Sequence, residues 1–110
     1  MMSSRLLKVR RSKIVKGEYG LFAGKNFERG ERISYMWHER IPLRDVCDYT
    51  HIMWVGNKAY LILDQTKYAN HSDKPNATVK GFFMYARKRI EKGEEITWYY
   101  GKPFSEGLRT

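Results

Sequence analysis

A chain of 110 residues accommodates one domain with a thin core, so its eight Tyr, five Phe and three Trp must fill that core, line a pocket, or both. Twenty-one Lys and Arg against 12 Asp and Glu give a net charge of +9, which favours acidic or polyanionic partners over basic ones, with a merely solubilising surface as the plain alternative. The single cysteine, Cys47, excludes an internal disulfide, and no apolar run reaches the length of a membrane span, so a soluble intracellular protein with no membrane partner is expected.

In chain order, Leu6 to Val15 alternates apolar and basic residues and predicts a half-exposed strand. Lys16-Gly17-Glu18-Tyr19-Gly20 breaks it, and two glycines three apart mark a loop that either turns sharply or lets another molecule approach the backbone. An internal echo follows. Phe22 to Tyr35 is matched by Tyr85 to Trp98 at eleven like-for-like or similar positions, including Glu28-Arg29-Gly30-Glu31 against Glu91-Lys92-Gly93-Glu94 and Ile33 against Ile96. Each copy reads as strand, glycine turn, strand, and the pair predicts a small pseudo-symmetric β fold. Two copies are too few for a solenoid.

From Pro42 to Met53 the spacing of Leu43, Val46, Cys47 and Tyr49 predicts one short helix, with Pro42 in its first turn. Cys47 and His51 would then share a helix face, but only His38 and His71 remain as further nitrogen ligands, so no metal site is expected. Gly56-Asn57 between Trp54-Val55 and Ala59 to Leu63 is a hairpin signature. Tyr68-Ala69-Asn70-His71-Ser72, followed by Asp73-Lys74-Pro75-Asn76, reads as an irregular loop presenting polar groups, with ordinary turn hydrogen bonds as the bland alternative. Strands are predicted over Ala77 to Lys80, Phe82 to Ile90 and Glu95 to Tyr100.

Taken together, Gly-Glu-Tyr-Gly-Leu-Phe-Ala from Gly17, Tyr-Ala-Asn-His-Ser from Tyr68 with Pro75-Asn76-Ala77 behind it, and Gly-Glu-Glu-Ile-Thr-Trp-Tyr-Tyr-Gly from Gly93 resemble the three signature motifs of the SET domain, in order, across residues 17–104. The resemblance implies a single domain over residues 1–110, a fold of several small β-sheets with one short helix and a C-terminal pseudoknot, and a protein-lysine N-methyltransferase using S-adenosylmethionine. It implies that the backbone from Gly17 through Glu18 to Tyr19 cradles the cofactor, that Asn70 bonds its amino-acid end or ribose, and that the His71 backbone meets its adenine. Lys67 stands for a frequent arginine, Phe104 for an aromatic over the adenine, and His51 for a cofactor-contacting tyrosine. Tyr100 matches the active-site tyrosine, also beside the cofactor, and Tyr35 a second pocket tyrosine.

The sequence departs from the family's pattern at Glu18, which replaces the first glycine of a Gly-x-Gly, at Ser34, where a glutamate often precedes the pocket tyrosine, and at Tyr99, where an acidic or small residue is common. The segment before the central motif is short and no cysteine-rich module follows Tyr100. This minimal form is similar to small stand-alone SET proteins of viruses and microbes and predicts a homodimer whose second chain completes the pocket. The partners implied are a protein substrate presenting a lysine, such as a nucleic-acid-associated protein. The alternative is a SET-fold binding module without turnover that contacts nucleic acid or a chromatin-like assembly, which the charge of +9 favours.

Overall fold

The computed structural model describes residues 6–48 and 52–99, which carry ten short strands. In chain order these are β1 (Leu7–Arg11), β2 (Tyr19–Ala23), β3 (Arg32–Tyr35), β4 (His38–Ile41), β5 (Ile52–Val55), β6 (Lys58–Ile62), β7 (Asn70–His71), β8 (Ala77–Lys80), β9 (Phe83–Ala86) and β10 (Glu95–Trp98). They form three small sheets, ordered β1-β2-β10-β7, β3-β9-β8 and β4-β6-β5. All ladders are antiparallel except β10 with β7.

The internal echo is a structural repeat, but its strands do not pair within a copy. β2 of the first copy pairs with β10 of the second, and β3 of the first with β9 of the second. The turns clasp each other between them. Phe27 and Ile90 exchange backbone hydrogen bonds at 2.8 and 2.9 Å, Gly30 N and Gly93 N donate to Ala86 O and Ala23 O at 2.8 Å, and Ala86 N and Ala23 N donate to Glu31 O and Glu94 O at 2.9 Å. Every bond in this set has its mirror under exchange of the copies, so a local two-fold axis passes through the Phe27–Ile90 bridge. Gly30 and Gly93 supply the positive φ that both turns need, at +84° and +91°. The core forms on this axis: Phe27, Ile90, Leu21, Ile96, Ile33 and Met84 are all buried.

One expectation is corrected and one is sharpened. The strand from Leu6 stops at Arg11, because Ser12 folds its hydroxyl back to accept from Ile14 N and Val15 N at 3.0 and 2.9 Å and turns the chain. The short helix expected over Pro42 to Met53 forms, as a six-residue 3₁₀ helix, Leu43–Asp48, opened by Asp45 N donating to Pro42 O at 2.9 Å. Met53 already belongs to β5, where β-branched Ile52 and Val55 suit the pleat. The Gly56-Asn57 hairpin forms as read, joining β5 to β6. A second tight turn, Gly81-Phe82, joins β8 to β9 and holds Phe82 at φ +68°, a strained backbone for a bulky residue. The Phe82 ring stacks on His38 at 3.6 Å and its carbonyl accepts from Met36 N at 2.7 Å, which offsets the strain.

Among the described residues no helix is long and apolar enough to cross a membrane. Threading of the C-terminal segment, the pseudoknot, would involve residues beyond Tyr99, outside those described.

Candidate cofactor and active site

The site is built around one buried carboxylate. Glu95, at the start of β10, accepts from Ser12 Oγ at 2.7 Å, Lys13 N at 2.8 Å and Asn70 Nδ2 at 3.1 Å. These three donors come from the loop after β1 and from β7, so a single side chain ties the first, second and third motif regions together. Gly20 makes this possible by lacking a side chain: a Cβ there would lie 2.4 Å from Glu95 Oε2 and 3.3 Å from the Ser12 backbone. The loop itself is closed by Ser12 N donating to Glu18 O at 2.8 Å and Glu18 N to Val15 O at 3.1 Å. At its tip Gly17 has φ +85°, and a Cβ there would meet nothing within 4 Å, so the backbone lies open to approach.

Asn70 is the second anchor. Its amide nitrogen also donates to Tyr19 O at 3.0 Å, so both of these bonds of the half-buried side chain use Nδ2. The segment read as an irregular loop is in fact the two-residue strand β7, parallel to β10, with Asn70 opposite Thr97 and His71 opposite Trp98. Ser72 N donates to Trp98 O at 3.0 Å, so by alternation the His71 backbone faces away from β10, at the edge of the four-stranded sheet. The His71 ring lies 5.0 Å from that of Tyr99 and 3.3 Å from Asp73 Oδ1. Trp98 Nε1 donates to Ala69 O at 3.1 Å and fixes the entry to β7.

Tyr19 and Lys67 join the same region. The half-exposed Tyr19 ring meets Tyr68 edge-on at 6.1 Å, Arg11 lies over its face at 5.7 Å, and Lys67 Nζ sits 5.3 Å from the Tyr68 ring. Lys67 is carried by the 3₁₀ turn Gln65–Tyr68, which Asp64 caps by accepting from Thr66 N at 3.1 Å. Glu18 is exposed on the loop.

Tyr35 belongs to a separate aromatic group. Its ring packs edge-on against Phe83 at 4.9 Å and Trp37 at 5.0 Å and lies 5.9 Å from His38. His51, Tyr100 and Phe104 lie outside the described residues. Among the described residues no cluster of three His, Cys, Asp or Glu side chains could hold a metal, and Cys47 is exposed.

Sequence reasoning did not single out Glu95, Ser12 or Asn76. Asn76 is buried and ties the stretch after β7 to β10, donating to Glu95 O at 2.9 Å and accepting from Thr97 N at 2.8 Å. Its position in Pro75-Asn76-Ala77 was the available signal. For Glu95 the signal was the echo itself, where the position held by Arg32 in the first copy is held by a carboxylate in the second.

Comparison with known proteins bears on this geometry. The SET domain family matches residues 18–101. No curated protein is similar enough in sequence to match. Among solved structures, a candidate histone methyltransferase of Plasmodium falciparum superposes with a TM-score of 0.70 at 26% identity, covering 88% of this chain and 94% of that one. ctPRC2, solved bound to S-adenosylmethionine in an autoinhibited conformation, superposes with a TM-score of 0.77 at 18% identity, a likeness of fold that covers 96% of this chain but only 17% of that one. The mostly β architecture of small sheets, the meeting of the three motif regions at Glu95 and a family match over most of the sequence agree: the chain belongs to the SET domain family.

Proposed function

We propose that this chain transfers a methyl group from S-adenosylmethionine to the ε-amine of a lysine in a protein substrate. The observation that carries the reading is the Glu95 junction, which sets the open Gly17 backbone, Tyr19 and Asn70 together. The residues present suit the cofactor's chemistry. Asn70 Oδ1 is an acceptor for the ammonium of its amino-acid end, the Gly17–Tyr19 backbone admits close approach, and His71 meets its adenine by its place in the motif. When bound, S-adenosylmethionine supplies a methyl group activated by its sulfonium charge. The relatives support the same class, one being a candidate histone methyltransferase and another having been solved with that cofactor.

The chain's own part in the chemistry is to present a neutral amine in line. A lysine ammonium has a pKa of about 10.4, so it must lose its proton before it is a nucleophile. An aromatic channel disfavours the charged form by desolvation, and alignment supplies much of the rate. By their place in the motifs, Tyr100 and Tyr35 hold and orient that amine. The edge-on packing of Tyr35 against Phe83 and Trp37 fixes the direction of its hydroxyl. In this reading a second copy of the chain completes the channel, next to Trp37, which is 64% exposed. A fully active monomer in sedimentation equilibrium would remove that part.

The test is transfer of isotopically labelled methyl to proteins of a cell lysate, read by mass spectrometry, for the natural sequence beside Tyr100→Phe and Asn70→Ala. Labelled lysine in one or a few proteins is expected, reduced on the order of a hundredfold in Tyr100→Phe. Asn70→Ala should chiefly raise the KM for the cofactor. A folded protein that labels nothing and shows no calorimetric signal with S-adenosylmethionine overturns the proposal.

A further inference from the structure

Two basic depressions flank the Phe27–Ile90 clasp, and the local two-fold relates them. One, of about 430 Å³, is lined by Arg29, Gly30, Thr78, Lys80, Tyr85, Ala86 and Arg87. The other, of about 320 Å³, is lined by Lys8, Arg10, Arg11, Lys13, Phe22, Ala23, Lys92 and Gly93. Arg29-Gly30 corresponds to Lys92-Gly93 and Tyr85-Ala86 to Phe22-Ala23. Thr78 faces Tyr85 across its ladder as Lys8 faces Phe22. Neither lining contains an acidic residue, although the chain has 12.

The two differ in what they offer besides charge. Phe22 is 3% exposed and belongs to the core, whereas Tyr85 is half-buried on the outward face of β9. That face continues through Phe83, 6.4 Å from the Tyr85 ring, with the Arg32 guanidinium 4.9 Å above Phe83. Arg29, Lys80 and Arg87 enter no ion pair among the described residues, while Lys25 and Arg89 are held by Glu31 and by Glu28 with Glu91. The first depression therefore combines three uncommitted cations with an accessible aromatic ring on a sheet, and it shares no residue with the Glu95 junction.

We propose that the outward face of the β3-β9-β8 sheet binds single-stranded nucleic acid, with Arg29, Lys80 and Arg87 on the phosphates and Tyr85 stacked on a base. An acidic peptide would satisfy the cations but leave the ring unused. A duplex keeps its base faces inside its own stack, so Tyr85 discriminates for the single strand. The second depression, lacking an accessible ring, contributes only phosphate contacts, which are indifferent to strandedness.

Fluorescence anisotropy with a labelled oligonucleotide of about 12 nucleotides and with its duplex tests this, since sites on such surfaces span several nucleotides. The readout is independent of methyl transfer, so its failure leaves the enzymatic reading standing, and the reverse. The single strand is expected to bind more tightly than the duplex and to weaken steeply with salt. The double variant Lys80→Glu/Arg87→Glu, both at exposed positions, should lose tenfold or more of both affinities and lower the single-strand salt slope by about 1.4, at roughly 0.7 per phosphate. Tyr85→Ala should weaken the single strand about tenfold, spare the duplex and keep the slope. Duplex binding as tight as single-strand binding, an unaffected Tyr85→Ala with an unchanged melting temperature, or loss confined to Lys8→Glu/Arg10→Glu would each overturn the proposal.

Discussion

The two halves of the clasp run in parallel through Glu-basic-Gly-Glu and part at the next residue. In the first half that residue is Arg32, exposed, with its guanidinium over the Phe83 ring on the outward face of β3-β9-β8. In the second it is Glu95, buried, turned toward Ser12, Lys13 and Asn70. The backbone pairing is the same on both sides, since Arg32 lies opposite Tyr85 as Glu95 lies opposite Phe22. One charge reversal on a shared frame thus separates a sheet that faces solvent from a sheet that gathers β7 and the Gly17 loop. The frame gives the shape, and the departure from its symmetry gives the candidate site.

The largest expected effect comes from testing that departure directly. Glu95→Ala takes the shared acceptor from the part-buried Ser12 hydroxyl, Lys13 N–H and one Asn70 N–H, and should destabilise the fold by about 1–3 kcal/mol, because donors partly withdrawn from water lose their partner. Its counterpart Arg32→Ala removes only an exposed side chain and should stay within about 0.5 kcal/mol. Urea unfolding of the two variants measures both. Equal losses would show that the carboxylate is not what distinguishes the halves.

The pairing partners explain how much of this was legible in the sequence. The repeat, the glycine turns at Gly30 and Gly93 and the Gly56-Asn57 hairpin are local features, and local chemistry sets them. The resemblance of three ordered motifs singled out Tyr19 and Asn70, which a hydrogen bond joins in the structure. What eluded the reading is non-local. A parallel strand of only two residues, Asn70–His71, exists because β10 lies beside it, and nothing in its own composition announces it. Glu95 sits in a Gly-Glu-Glu turn that reads as solvent-facing, and only the arrival of Ser12 and Asn70 from elsewhere makes its burial favourable. The Pro42 region holds the short helix its apolar spacing announces, but its far end was legible only in part, because β5 claims Ile52 and Met53 for the sheet.

A second experiment asks whether the frame itself is equivalent on both sides. Gly30 and Gly93 both have positive φ, and at neither would an added Cβ meet anything within 4 Å. Replacement by alanine therefore carries a backbone cost alone, about 1–2 kcal/mol at each position. Thermal or urea unfolding should give losses that agree within about 0.5 kcal/mol. A difference well beyond that would mean that one turn is bound by more than its backbone, and the two-fold description would need revising.

The smallest expected effect lies in the charges that decorate the two turns. Both carry a carboxylate that caps the turn, Glu31 Oε1 accepting from Glu28 N and Glu94 Oε1 from Glu91 N, each at 2.9 Å. Of the two capping carboxylates only Glu31 pairs with a cation among the described residues: Lys25 binds it, whereas the equivalent Lys88 enters no ion pair there. The Lys25 hydrogen bond, followed by that from the Glu28 backbone, holds the Glu31 carboxyl below its ordinary value of 4.5. A carboxylate with a lowered folded pKa adds stability that is fully present above 4.5 and is lost as pH falls through the folded value. Side-chain NMR titration should therefore place Glu31 below the usual range, and Lys25→Met should move it back up part of the way, the Glu28 N–H remaining. Because the pair is solvent-exposed, the effect on unfolding midpoints should be small, appear only below pH 4.5, and diminish in high salt. Lys88→Met should leave that acid limb unchanged, and an equal response to the two lysine variants would show that the turns are matched in charge as well as in backbone.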